Sequence, residues 1–178
     1  MVKRLGLPFD PIARAAETWE ERFGPSEAMA AVTSVMRAQQ ILLATLDGIL
    51  RPRGLTFSRY EALVLLAFSR RGALPLRVMG ERLMVHPTSV TSTIDRLEEQ
   101  GLVRRMPNPR DGRGTLAEIT PAGREVMAGA TDDLMTARFG LPGYGDAELR
   151  QVFTSLRGLR LAAGDFTESA TRASAGRS

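Results

Sequence analysis

The sequence predicts a mainly α-helical fold carrying one small β-hairpin, and three observations predict it. Apolar residues recur at helical spacing over most of the 178-residue chain. Between Arg71 and Gly123, two short helices give way to two strands joined by a loop rich in glycine, proline and arginine. Most of the same stretch, through Arg113, lies within the one region that carries the excess positive charge. A helix, a turn, a second helix and a basic hairpin are the parts of a winged helix-turn-helix. A small polar helix followed by a basic hairpin suits the reading of duplex DNA in two grooves at once.

The elements follow in order. Asp10 caps a first helix that runs to Phe23, with Pro11 in its first turn. Gly24-Pro25 breaks it, and Ser26 is placed to cap a longer helix to about Leu50. In that helix Met29, Val32, Met36, Leu43, Leu46 and Leu50 keep helical spacing, and the second half is apolar on more than one side. A helix with two apolar faces needs two partners, its own domain being one and a second subunit a candidate for the other. Arg51-Pro-Arg-Gly54 ends it. Ser58-x-x-Glu61 matches a capping box for the next helix, whose Ala62–Phe68 stretch is nearly all apolar and reads as buried. Gly72 closes that helix, and Ala73-Leu74 reads as a short strand. Pro75 then opens a helix with Leu76, Met79 and Leu83 inward.

The following helix, from His86 to Gln100, is the informative one. Val90, Ile94 and Leu97 point inward, which turns Thr88, Ser89, Thr91, Ser92, Asp95 and Arg96 outward. An idle surface helix is normally richer in Glu and Lys, because Ser and Thr are poorer helix formers. Small hydroxyl side chains let a helix approach phosphates and base edges closely. His86, the sole histidine, reads as the residue leading into the helix or as a phosphate contact, not as a metal ligand. Gly101 ends the helix, 102–106 and 116–119 read as strands, and 107–114 as the hairpin loop. Thr120-Pro121 starts a helix to about Phe139, Gly140–Gly145 is a break, and Asp146 is placed to cap a last helix with Leu149, Val152, Phe153, Leu156 and Leu159 in one stripe. From about Glu168 the chain is small and polar and reads as a disordered tail.

Composition narrows the function. Residues 51–113 hold twelve arginines against six acids, a balance of +6, while 1–50 and 114–178 are each at −1. An excess confined to one segment is the footprint of a phosphate-binding surface. With no cysteine and one histidine, disulfides, thiol nucleophiles and a zinc site are not expected, and no metal or cofactor is predicted. No Ser/His/Asp set or phosphate-cradling glycine loop appears, so an enzyme is not expected. No signal peptide is recognisable, and no uninterrupted apolar run reaches the roughly 20 residues of a membrane span. A soluble, cytoplasmic protein without a membrane partner is the expectation.

The residues also resemble a known family, the MarR family (multiple antibiotic resistance regulators) of bacterial transcription regulators. The resemblance runs from about Ala30 to Leu161. Its most specific pieces are Val90-Thr-Ser-Thr-Ile-Asp-Arg-Leu-Glu-Glu-Gln-Gly-Leu-Val-Arg-Arg105, similar to the family's recognition helix and following strand, and Asp111-x-Arg113 with Leu-Ala-Glu-Ile-Thr-Pro-Ala-Gly123 behind it. It implies a homodimer whose first and last helices interdigitate, binding double-stranded DNA as a repressor at a pseudo-palindrome with half-sites about 10 bp apart. On that footing Thr88, Ser89, Thr91, Ser92 and Arg96 face the major groove, Arg113 enters the minor groove from the wing, and Asp111 holds the wing. Arg110, Arg104 and Arg105 are candidates for phosphate, with at most one of the last two facing DNA. The resemblance divides the chain into an arm (1–9), N-terminal helices of a dimerisation region (10–54), a winged helix-turn-helix lobe (55–120), C-terminal dimerisation helices (121–166) and the tail (167–178).

Many members of the family release DNA when a small anionic or aromatic effector binds. The extra first helix with the lone Trp19 is similar to the urate-responsive subgroup, which implies Trp19 and Glu61 as effector-binding residues. The residues alone leave both open: Trp19 equally serves to staple the helix to the core, and Glu61 to complete the capping box. Two other functions share parts of the pattern. A non-specific architectural DNA binder would need the charge but not the small polar face. A winged helix used as a protein-interaction module would expose apolar residues on the second helix, where the outward positions have none.

Overall fold

The computed structural model describes residues 6–108 and 114–167. It falls into two compact units, one through Gly140 and one from Leu141. The first contains α1 (Pro11–Phe23), α2 (Glu27–Leu50), α3 (Phe57–Phe68), β1 (Ala73–Pro75), α4 (Leu76–Leu83), α5 (Pro87–Glu99), β2 (Val103–Pro107), β3 (Thr115–Ile119) and α6 (Pro121–Thr136). The second contains α7 (Asp146–Ala162). The fold is mainly helical, as expected, and the hairpin belongs to a three-stranded antiparallel sheet ordered β1-β3-β2. The short strand before α4 therefore does not stand alone but pairs with the returning wing strand, Leu74 opposite Ala117.

One core serves the first unit. Leu46 and Leu50 of α2, Leu63 and Leu66 of α3, Met79 of α4, Val90, Ile94 and Leu97 of α5, Val103, Ala117 and Ile119 of the sheet, and Ala130 and Leu134 of α6 are all buried in it. The inward set of the His86–Gln100 helix is the expected one. Each such side chain contributes about 1.5–3 kcal/mol by leaving water, so the three α5 anchors alone fix the helix firmly.

Caps differ from the reading in instructive ways. Asp10 caps α1 through its carboxylate, 2.8 Å from the Ile12 N–H. Ser26 does not cap α2 with its side chain; its hydroxyl donates instead to Glu20 at 2.6 Å and is buried at the α1–α2 corner. The N-cap of α3 is Thr56, not Ser58, and the Asp47 carboxylate accepts the Phe57 N–H at 2.7 Å. The capping box at Ser58-x-x-Glu61 is therefore not formed, because the helix begins two residues earlier and α2 supplies the acceptor. Gly145, not Asp146, caps α7, with the Glu148 carboxylate accepting its N–H at 2.7 Å. α6 stops at Thr136, and Arg138 and Phe139 turn with positive φ. Phe68, expected inside, is 83% exposed at the end of α3.

Several apolar faces stay open. Val32, Val35, Met36, Ile41 and Leu43 of α2 are exposed, and so, in the second unit, are Val152, Phe153, Leu156 and Leu159 of α7. By length and composition alone, the stretch Glu27–Arg53, of mean hydropathy 1.2, could cross a membrane. It holds no uninterrupted apolar run of that length, since Arg37, Gln39, Gln40 and Asp47 interrupt it without lowering its mean far. Its C-terminal turn is buried in the core through Leu46 and Leu50, which is the behaviour of an amphipathic helix in a packed domain.

Candidate nucleic-acid interface

α4 and α5 are joined by a tight turn. Met84 takes a left-handed conformation (φ 55°) and the Val85 N–H returns to the Gly80 carbonyl at 3.1 Å. Gly80 packs closely under this turn, where an added β-carbon would lie at contact distance, 3.4 Å, from both the Val85 oxygen and Val90. His86 is the N-cap of α5, its Nδ1 accepting the Thr88 N–H at 3.3 Å, and Pro87 follows at the first position, where no N–H is needed. This is the helix-start role that the sequence suggested.

With Val90, Ile94 and Leu97 buried, Thr88, Ser89, Thr91, Ser92 and Arg96 are all exposed along one side of α5. The structure thus brings five of the seven predicted DNA-contact residues onto a single face. Thr91 spends its hydroxyl proton on the Pro87 carbonyl at 3.1 Å, leaving lone pairs outward. Arg96 rests against Glu99 at 2.9 Å, both mostly exposed, a pair worth little and readily exchanged for a phosphate or base edge. Arg110, Arg113 and Asp111 lie outside the described residues. The base of their hairpin is closed by the Asn108 N–H bonding to the Gly114 carbonyl at 2.9 Å.

Asp95 does not join the outward face. It is half-buried, and its carboxylate meets Arg105 Nη1 at 2.5 Å, while Glu98 meets the same nitrogen at 3.0 Å and also accepts the Arg105 backbone N–H at 3.0 Å. Arg105 is therefore a clamp between β2 and α5, not a phosphate contact. Arg104, on the other face of the sheet, pairs with Glu118 directly across from it. Each arginine has a carboxylate partner that a one-dimensional reading could not place beside it, Arg105 held in a half-buried clamp and Arg104 in an exposed pair.

The Thr120-x-x-Gly123 motif has a mechanical reason. Thr120 caps α6 by accepting the Gly123 N–H at 3.0 Å and donates its hydroxyl to the Gly101 carbonyl at 2.8 Å. A β-carbon at Gly123 would collide with the Leu102 carbonyl oxygen. Helix α6 thus seats directly on the strand that leaves the recognition helix.

A small cavity of about 90 Å³ lies under α5, between α3, α4 and α5. Glu61, Ser58, Ser89 and Thr93 give it polar walls, and Met79, Leu83 and Val90 apolar ones. Glu61 is exposed as a residue, but partial desolvation of its carboxyl against the cavity raises its pKa from the ordinary value. Ser89 therefore belongs to both the outer face and this cavity, and Thr93, half-buried beside it, was not singled out from sequence. Trp19 does not line the cavity. It lies half-exposed on α1 with its ring 5.0 Å from that of Phe23. The structure does not bring Trp19 and Glu61 together within the chain.

An exposed, hydroxyl-rich helix anchored from behind and followed by a hairpin defines a winged helix-turn-helix protein. Comparisons then settle the family. Residues 55–115 match the MarR family model. The chain is 60% identical to Sco5413, a MarR family transcriptional regulator of Streptomyces coelicolor, covering 79% of this chain and 98% of that one with a TM-score of 0.74. It is 30% identical over 102 residues to the organic hydroperoxide resistance transcriptional regulator of Bacillus subtilis, spanning 57% of this chain and 67% of that protein. It shares its fold with Sco3205, a MarR family regulator of S. coelicolor solved in complex with DNA, at 24% identity and a TM-score of 0.67 over 85% of this chain and 94% of that one. With two further B. subtilis regulators the match is shorter, spanning 46% and 47% of their length. The chain belongs to the MarR family of transcription regulators.

Proposed function

We propose that this protein is a sequence-specific regulator of transcription that binds double-stranded DNA as a homodimer and represses by occupying a pseudo-palindromic operator. The carrying observation is the α5 face: Thr88, Ser89, Thr91, Ser92 and Arg96 exposed together on a helix whose other side is pinned by three buried side chains. A purely electrostatic binder has no need of that face, and a protein-docking helix would expose apolar groups on it. Arg113 and Arg110 supply wing contacts in this reading, with Asp111 holding the wing. The open apolar faces of α2 and, separately, of α7 supply the dimer contacts, so residues 10–54 and 121–166 serve as the dimerisation region and 55–120 as the DNA-binding lobe. The protein acts in the cytoplasm, where its operator lies.

A small effector that releases DNA would act through the cavity beneath α5, which has to widen to admit it and whose one charged wall, Glu61, favours an aromatic ligand over an anion; such a ligand would touch both Glu61 and the back of Ser89. Trp19 enters this effector reading only from a second subunit or through a change of conformation.

Fluorescence anisotropy with the DNA immediately upstream of the protein's own gene, against shuffled DNA of equal length over a salt series, tests the proposal. Preference for the native sequence supports it. Equal, salt-sensitive binding to both favours an architectural binder, and no binding at low salt overturns DNA recognition altogether.

A further inference from the structure

Away from the recognition helix, the outer face of the sheet and the start of α6 enclose a second, larger cleft of about 380 Å³. Its walls carry three arginines, Arg71 before β1, Arg104 on β2 and Arg124 on α6, and one acid, Glu118 on β3. Glu118 pairs with Arg104 and neutralises it in part. Among the described residues the guanidiniums of Arg71 and Arg124 have neither hydrogen bond nor ion pair. The lining is left with a net charge of +2. Arg71 and Arg124 bring two further positive charges beside the Arg104–Glu118 pair, so an anion entering the cleft meets guanidiniums that no acid of the lining answers.

The backbone makes room for this gathering. Gly72 takes φ +68°, a conformation that favours glycine, and the Arg124 guanidinium lies beside its side-chain-free backbone. Arg124 therefore lies across a bare stretch of main chain, beside the strand that carries Glu118. The face matters too. Arg105 pairs opposite the buried Ala117 and reaches α5, whereas Arg104 pairs opposite Glu118, and neighbours along a strand point to opposite faces. The cleft thus opens on the sheet face turned away from α5, and a duplex seated on α5 does not supply its anion.

We propose that this cleft binds a compact, multiply charged oxyanion of the phosphate type, carried by a small molecule. Two unpaired guanidinium forks match the oxygens of a phosphoryl group, and the net charge matches a dianion better than a monocarboxylate. The volume lies in the range of small-ligand sites. The site stands apart from the DNA-reading face, so the two readings fail independently.

Isothermal titration of the full chain with inorganic pyrophosphate at fixed ionic strength tests this. Three proteins are compared: wild type, Arg71→Gln/Arg124→Gln, and Arg14→Gln/Arg22→Gln, which removes the same charge from α1. The cleft variant should fold with an unchanged melting temperature, since neither arginine is paired. It should bind pyrophosphate at least tenfold more weakly, on the order of tenfold for each charge-assisted hydrogen bond removed, while the α1 variant binds as wild type. The single Arg71→Gln should fall between. Absence of binding by wild type, or equal weakening in the α1 variant, overturns the proposal. So does a fall of about two in the salt slope of DNA binding by the cleft variant, which would assign the arginines to phosphates of the duplex.

Discussion

Arg105 separates two accounts of the basic segment, and replacing it with alanine gives them opposite outcomes. If Arg105 neutralised a DNA phosphate, its loss would lower the salt slope of DNA binding by about one and leave the free protein as stable as before. The structure instead joins it to Asp95 at 2.5 Å and to Glu98 at 3.0 Å, with the arginine side chain 28% exposed and the acids 46% and 39% exposed. Fully exposed pairs yield roughly 0.2–1 kcal/mol, and hydrogen bonds to charged groups about 1.5–3 kcal/mol. Since the acids are more than a third exposed, screening discounts the upper figure. The destabilisation expected for Arg105→Ala is about 1–2 kcal/mol, which includes the packing of the aliphatic stem. A double-mutant cycle with Asp95→Ala, followed by urea denaturation, should return a coupling energy of about 0.5–1 kcal/mol. The Arg105→Ala/Asp95→Ala protein keeps the net charge and should keep the wild-type salt slope. A coupling near zero, or a salt slope lower by about one in the double variant, would refute the clamp.

Four further outcomes follow from the same geometry. Ser92→Glu adds a carboxylate to the exposed face of α5 and should abolish preference for the operator in anisotropy measurements, while the circular-dichroism melt stays unchanged; surviving preference would mean the reading helix is misassigned. Arg113→Ala should weaken binding to all duplexes and most to A·T-rich ones, with a salt slope lower by about one, and unchanged affinity would remove Arg113 from the wing contact. Glu61→Gln should stabilise the protein near neutral pH. Partial desolvation raises the Glu61 pKa in the folded state, so the stability it contributes is fully present below its unfolded pKa and is lost as pH rises through the folded value. The advantage of the glutamine should therefore vanish in acid, and a pH-independent difference would contradict that origin. Asp133→Asn should destabilise in the opposite sense, because the Arg53 hydrogen bond at 2.5 Å lowers the Asp133 pKa. That stability is present above the unfolded pKa and lost as pH falls through the folded one, so wild type and variant should converge in strong acid.

What the sequence made legible was whatever depends on neighbours along the chain. Periodicity placed Val90, Ile94 and Leu97 inward, and proline and glycine punctuation located most of the helix starts and both wing strands. The hydroxyl face of α5 followed directly, because burying one side of a helix determines the other. The failures share a cause in interactions across the fold. Ser58-x-x-Glu61 has the form of a capping box, but Asp47, ten residues before Phe57, accepts the helix's first N–H and Thr56 takes the cap. Arg104 and Arg105 are basic residues in a basic segment, yet β-register sets one opposite Glu118, and the fold of β2 against α5 sets the other beside Asp95.

These corrections change the electrostatic picture of the DNA-binding lobe more than they change its fold. The balance of +6 over residues 51–113 suggested a broad phosphate-binding surface. Within it, Arg104, Arg105 and Arg77 each have an acid partner, and Arg96 rests on Glu99. Paired arginines contribute little to long-range attraction of a polyanion, because the partner's charge cancels theirs beyond a Debye length of about 8 Å. Arg53 is held by Asp133 as well, so in this reading affinity falls to fewer groups than the composition implies: the arginines without an acid partner, Arg96 once it exchanges Glu99 for DNA, and the wing arginines Arg110 and Arg113. Of these, Arg96 lies on the face that reads sequence in this reading, whereas Arg110 serves phosphate. The pairing predicts a shallower salt slope than twelve arginines would suggest, and a larger share of binding that depends on which bases face Ser92 and its neighbours.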